Sequence, residues 1–172
     1  MGNDLTPKDD TADSPTNQWL VLAGFIALCL AVAGIAGWAT SQSVTTWYLT
    51  LNRPTWTPPN WLFAPVWTVL YVMMAVAAWQ IWRVGGGFND KARSALVLFF
   101  VQLALNFAWS FAFFAAQSPA LGLLVIIALW LAIAATIAAF RPIDRLAAWL
   151  LAPYLIWVSY ATALNFSIWM LN

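Results

Sequence analysis

The side chains that usually carry chemistry are almost missing from this sequence. It has no His and no Glu, and its single Cys, Cys29, lies inside an apolar run. A zinc or di-metal centre needs several His, Cys or carboxylate ligands, and a serine or cysteine nucleophile needs a base that is absent here. What remains are rings and carboxamides at helical spacing. Gln102, Asn106, Trp109 and Phe113 recur at i, i+4, i+7 and i+11, one face of a helix. Trp67, Tyr71, Met74 and Ala78 repeat that spacing. Pro153, Trp157, Ala161 and Leu164 form a comparable row with Tyr160 and Asn165 beside it. Such faces have two readings. They pack helix against helix, with Asn and Gln hydrogen-bonding across the contact, or they line a flat cavity in which a planar, polarisable molecule stacks and a few polar groups orient it.

The elements that carry these rows are membrane spans. Of the 172 residues 63% are hydrophobic and 8% charged, with a mean hydropathy of +0.79; a water-soluble domain is about 25% charged. Asp4, Lys8, Asp9, Asp10 and Asp13 fall in residues 1–18, which read as a disordered acidic tail. Residues 19–172 then form one membrane domain. Crossing hydrocarbon takes about 20 apolar residues, and five segments reach that length, at about 19–40, 61–83, 95–116, 119–140 and 146–170. The first is read as a span, because a signal peptide opens on a basic stretch and this one follows aspartates. The expected fold is therefore an all-α membrane protein, a five-transmembrane-helix bundle.

Loop charge orients it. Lys8, Arg83, Lys91, Arg93, Arg141 and Arg145 share one side and Arg53 stands alone on the other, so the positive-inside rule places the N-terminus in the cytoplasm and the C-terminus outside. The expected location is a bacterial cell membrane, crossed several times. A net charge of +1 without basic clusters gives no footprint for nucleic acid.

Tryptophan is abundant, with 13 residues. Interfacial belts account for those near span ends, whereas Trp67, Trp109, Trp130 and Trp157 fall deeper. Rows of small residues, Ala33/Gly37 and Ala128/Ala132, are read as helix packing. The first loop, residues 41–60, carries Trp47, Arg53 and Trp56 among three prolines. It is read both as a segment lying on the bilayer and as a lid, with Arg53 available to a ligand carboxylate.

Three stretches make the chain resemble a known family. The first runs from Trp47-Tyr48 through Asn52-Arg53-Pro54-Thr55-Trp56-Thr57-Pro58-Pro59-Asn60-Trp61 to Pro65-Val66-Trp67 and Tyr71; the second is Gln102 to Trp109 with Phe113-Phe114; the third runs from Pro153-Tyr154-Leu155-Ile156-Trp157 to Asn165-Phe166. Together, over residues 19–170, the chain resembles the TspO/MBR family, the tryptophan-rich sensory proteins and translocator (peripheral-type benzodiazepine receptor) proteins. The resemblance implies a five-helix bundle, commonly a homodimer, with a pocket under the first loop for porphyrins such as protoporphyrin IX, other tetrapyrroles, sterols and benzodiazepine-site drugs. Carried over, the pocket comprises Trp56, Trp61, Trp67, Tyr71, Asn106, Trp109, Trp157, Ala161 and Leu164, with Trp47 and Arg53 from the loop and Tyr160 beside the fifth-span row. Arg53 stands where the family usually has Lys. The sterol motif, L/V-x-Y-x-K/R, is not kept: Leu164 is followed by Phe166, and Met170 and Leu171 offer no base, so sterol binding through it is not expected.

The functional expectation is a membrane receptor or sensor for porphyrin-like tetrapyrroles, moving them or regulating tetrapyrrole and stress metabolism. No cofactor is expected, the porphyrin being the ligand. The alternatives are facilitated translocation of a small molecule and light-dependent oxidation of the bound porphyrin, with the chemistry carried by the ligand. Ion-driven transport is not expected, because the span interiors hold no ionisable acid or base.

Overall fold

A computed structural model describes residues 15–172, with side chains from residue 17 onward. Residues 1–14 of the expected acidic tail lie outside the described residues, and helix begins at Pro15, four residues before the boundary read from the sequence. The elements are α1 (Pro15–Val44), α2 (Trp47–Thr50), a 3₁₀ turn (Asn60–Leu62), α3 (Phe63–Val84), α4 (Asp90–Ser110), a π-helical turn (Phe111–Ala115), α5 (Pro119–Phe140), α6 (Arg145–Leu150) and α7 (Ala152–Leu171). Among the described residues, five helical stretches are long and apolar enough to cross a membrane: Asn17–Val44, Asn60–Val84, Asp90–Ala115, Pro119–Phe140 and Arg145–Leu171. The expected five-span, all-α architecture is the observed one.

Helix ends follow from local chemistry. Asn89 caps α4 by accepting from Ala92 N at 3.1 Å, Ser118 caps α5 by accepting from Leu121 N at 3.3 Å, and Asp144 caps α6 by accepting from Ala147 N at 2.7 Å. Pro119 occupies the first turn of α5, where its missing N–H costs nothing. Gly86 and Gly87 turn the chain between α3 and α4 at φ +73° and +92°, a region open to glycine. The fifth span is broken at Leu151, two residues before Pro153, which has no N–H to continue the ladder.

The bundle closes through α1 on α3, α4 on α5 and α5 on α7, with α6 against α3. Its best-filled part lies away from the first loop, where Met74, Ala75, Ala77, Ala78, Ile81, Leu96, Phe99 and Ala147 are shielded almost completely. At the other end the backbones of α3 and α7 meet through rings instead: Phe63 against Trp157 at 5.9 Å and Trp67 against Tyr154 at 6.2 Å between centroids. The π turn sits at that end too. It leaves Phe114 O free to accept from Ser43 Oγ at 2.8 Å, fastening α1 to the end of the third span.

Gly122 of α5 allows a close approach. A Cβ there would stand 2.9 Å from both Asn165 Oδ1 and Phe113 Cδ2. Gly122→Ala is expected to destabilise the protein by about 1–3 kcal/mol through overpacking. Gly24→Ala, where a Cβ meets nothing within 4 Å, is expected to cost nothing. Thermal unfolding of the two variants in one detergent checks the contrast.

Candidate ligand-binding cavity

The end of the bundle nearest the first loop encloses a cavity of about 520 Å³, within the range of small-molecule sites. Four helices wall it, each with one stripe. Helix α3 contributes Phe63, Trp67 and Tyr71, and the third span Asn106, Trp109, Ser110, Phe113 and Phe114. Helix α7 supplies Ala161, Leu164, Asn165 and Ile168, while α1 supplies Leu30, Ala33, Gly34, Gly37, Thr40, Ser41 and Val44. Tyr48 of α2 and Asn60 close the loop end.

Its polar groups are held by one another. Tyr71 donates its hydroxyl to Asn106 Oδ1 at 2.9 Å, and Asn106 Nδ2 donates to the Tyr154 hydroxyl at 2.6 Å. One carboxamide thereby joins α3, α4 and α7 in a region where water offers no alternative partner. Higher up, Trp109 Nε1 donates to Asn165 Oδ1 at 3.2 Å, and Asn165 Nδ2 donates to Pro119 O at 2.8 Å. Both carboxamides are buried. The rings they orient form a continuous wall: Trp67 lies 6.4 Å from Trp109, and Trp109 stacks on Phe113 at 5.7 Å.

Of the residues singled out in the sequence, Trp67, Tyr71, Asn106, Trp109, Ala161 and Leu164 come together on this cavity. Trp157, Tyr160 and Trp56 lie beside it in an aromatic seam. Trp157 is 5.8 Å from Tyr160, Tyr160 is 5.5 Å from Trp56, and the Tyr160 hydroxyl donates to Trp56 O at 2.8 Å, pinning the first loop to α7. The Trp157 N–H is buried without a partner. Trp61 is 71% exposed at the entry to α3 and does not line this cavity. Trp47 packs on Phe113 at 5.6 Å and faces a second, smaller depression with Gln117 and Asn172. Arg53 stacks over the Tyr48 ring at 5.0 Å. Burial pushes the Tyr48 hydroxyl above its ordinary pKa, and the adjacent guanidinium offsets part of that rise. Arg53 is the only charged side chain in the first loop, the α4–α5 connection or the C-terminal end of α7.

Two readings change. Ala33 and Gly37, read as packing residues, border the cavity, and a Cβ at Gly37 would meet nothing within 4 Å. Trp130, read as deep, is 36% exposed with its N–H donated to Ser159 Oγ at 2.8 Å. The stripe on α1 escaped sequence reasoning although Leu30, Ala33, Gly34, Gly37 and Ser41 are spaced as one helix face, because small residues give the same signal whether a neighbour fills the space or not.

The Asn106 bridge predicts non-additive energetics. Asn106→Leu is expected to cost about 1–3 kcal/mol by orphaning two hydroxyls. Tyr154→Phe added to it is expected to cost less than it does alone, measured as unfolding free energies in a double-mutant cycle.

Comparison with known proteins agrees with this architecture. Residues 25–170 match the TspO/MBR family. The chain is 47% identical over 156 residues to the tryptophan-rich protein TspO of Chlorobaculum tepidum, covering 90% of this chain and 98% of that one. It is 38% identical over 155 residues to the tryptophan-rich sensory protein of Cereibacter sphaeroides, covering 90% and 93%. It is 41% identical over 126 residues to the translocator protein of Homo sapiens, covering 73% and 75%. With five apolar spans and these relatives, the chain is an integral membrane protein and belongs to the TspO/MBR family.

Proposed function

We propose that the protein is a membrane receptor whose cavity binds a porphyrin-like tetrapyrrole, of the protoporphyrin IX type, and couples that binding to sensing or translocation. The observation that carries this reading is the wall of rings from Trp67 through Trp109 to Phe113, set around about 520 Å³ with almost no charge. A flat conjugated macrocycle stacks on such a wall. Asn106 and Asn165 stand at its edge, though both already have partners. Arg53 sits behind Tyr48 at the loop end and is suited to a propionate carboxylate. The names of the relatives, sensory protein and translocator protein, are consistent with either output. In this reading the N-terminus is cytoplasmic, the first loop faces outward, and the home is a bacterial cell membrane.

Titration of the purified protein with protoporphyrin IX, followed by tryptophan emission, tests the proposal. Saturable quenching is expected in the wild type and its loss in Trp67→Ala, Trp109→Ala. Arg53→Gln is expected to weaken affinity about 10- to 100-fold, as loss of a charge-assisted hydrogen bond should. Absence of saturable quenching, or its persistence in the tryptophan double variant, contradicts the assignment.

A further inference from the structure

A serine or threonine hydroxyl inside hydrocarbon has no water to bond, so in a membrane helix it turns back onto its own backbone. Thr40 Oγ1 donates to Ala36 O at 2.9 Å, Thr68 Oγ1 to Ala64 O at 2.9 Å, Thr136 Oγ1 to Ala132 O at 2.7 Å and Thr162 Oγ1 to Val158 O at 2.7 Å. Ser94, Ser159 and Ser167 likewise donate to the carbonyl four residues earlier, and Ser41 to the one three residues earlier. Ser43 donates across to Phe114 O. Among the described residues of the five spans, Ser110 alone departs from this pattern: its hydroxyl has no protein partner.

Ser110 is nevertheless 6% exposed, shut away from bulk solvent and lipid. Among the described residues the side-chain polar atoms that lack both a partner and open surface are Gln102 Oε1 and Trp157 Nε1. Ser110 Oγ therefore keeps open surface, and the space that Ser110 borders is the cavity. It stands one helical turn beyond Asn106 on the same face of α4, beside Trp109 and directly before the π turn. Single π turns within α-helices recur at functional sites.

The carboxamides of the cavity show which ligand group is missing. Asn106 Oδ1 already accepts from Tyr71, and Asn165 Oδ1 from Trp109, so a ligand that brings a donor finds these acceptors taken. Ser110 offers the reverse, a proton without an acceptor. Leaving that proton unpaired in an apolar space is unfavourable, and an oxygen on the ligand relieves it.

We propose that Ser110 is the specificity-determining donor of the cavity, selecting flat apolar ring systems that carry a carbonyl or carboxylate oxygen at their edge. The inference rests on the cavity being a ligand site, as proposed above, and names the group on the ligand that the site reads.

Fluorene and fluorenone test it, since they share one flat tricyclic skeleton and differ by the carbonyl oxygen. Each is titrated calorimetrically into the wild type and Ser110→Ala in the same detergent, so that partitioning of the probes into micelles cancels between the two proteins. The fluorenone-to-fluorene affinity ratio is expected to fall about 3- to 10-fold in Ser110→Ala, the size of one net hydrogen bond. A serine with a merely structural role would move both affinities together and leave the ratio where it was. Infrared difference spectra give a second readout: the C=O stretch of bound fluorenone is expected at lower frequency in the wild type than in Ser110→Ala. An unchanged ratio, an unchanged frequency, or failure of fluorenone to bind overturns the assignment of Ser110. Protoporphyrin IX titration of the same preparations separates the two proposals. Saturable quenching beside an unchanged ratio removes Ser110 and leaves the receptor standing, whereas absence of quenching and of fluorenone binding removes the cavity as a ligand site.

Discussion

Asn106 is buried where no water competes for its carboxamide, and it spends both ends of that group on the hydroxyls of Tyr71 and Tyr154. Inside hydrocarbon an unpaired amide or phenol is costly, so this bridge fixes how three spans stand relative to one another. It also marks the floor of the cavity. Away from the first loop, alanines, Ile81, Leu96 and Phe99 fill the space between helices. Towards the loop, large rings hold α3 and α7 apart and the space is left open. The Trp109–Asn165–Pro119 chain repeats the device higher up, and Gly122 makes room for it by lacking a Cβ.

The same economy explains why the site is aromatic. Membrane helices gain little from hydrophobic burial against each other, since lipid is equally apolar. A cavity between them must therefore be kept open by side chains too large and too well oriented to collapse into it. Trp67, Trp109 and Phe113 meet that requirement, each braced by ring contacts or, for Trp109, a hydrogen bond. Against these stands α1, whose face onto the cavity is Ala33, Gly34 and Gly37. One wall is rigid and ring-bearing; the opposite one is thin.

The spans were legible because length and apolarity are enough to read them: Pro119–Phe140 falls where it was expected, and the others differ by a few residues at their ends. The inward rows on α3 and α4 were legible because Trp67, Tyr71, Asn106 and Trp109 combine bulk with hydrogen-bonding groups at helical spacing. Spacing also marked Trp157 on the fifth-span row, and resemblance to the family added Trp56 and Trp61. These lie beside the cavity or at the surface, because the α3–α7 contact is itself made of rings and absorbs Trp157 into a seam with Phe63 and Tyr160. The contribution of α1 could not be read. Glycine and alanine announce missing volume, and only the position of the neighbouring helix decides whether that volume is filled. The π turn was equally hidden, since Phe111–Ala115 differs from α-helix in hydrogen-bond register and not in composition.

The proposed function requires that these four stripes enclose a ligand and are not simply a packed interior. An experimental structure of the protein in lipid with protoporphyrin IX bound tests it directly. The macrocycle is expected in ring contact with Trp67 and Trp109, with one propionate directed to Arg53 and the Asn106 bridge intact beneath it. A macrocycle bound on the outer surface of the bundle, with the rings of Trp67 and Trp109 closed against Gly34 and Gly37 and no space between them, would contradict it.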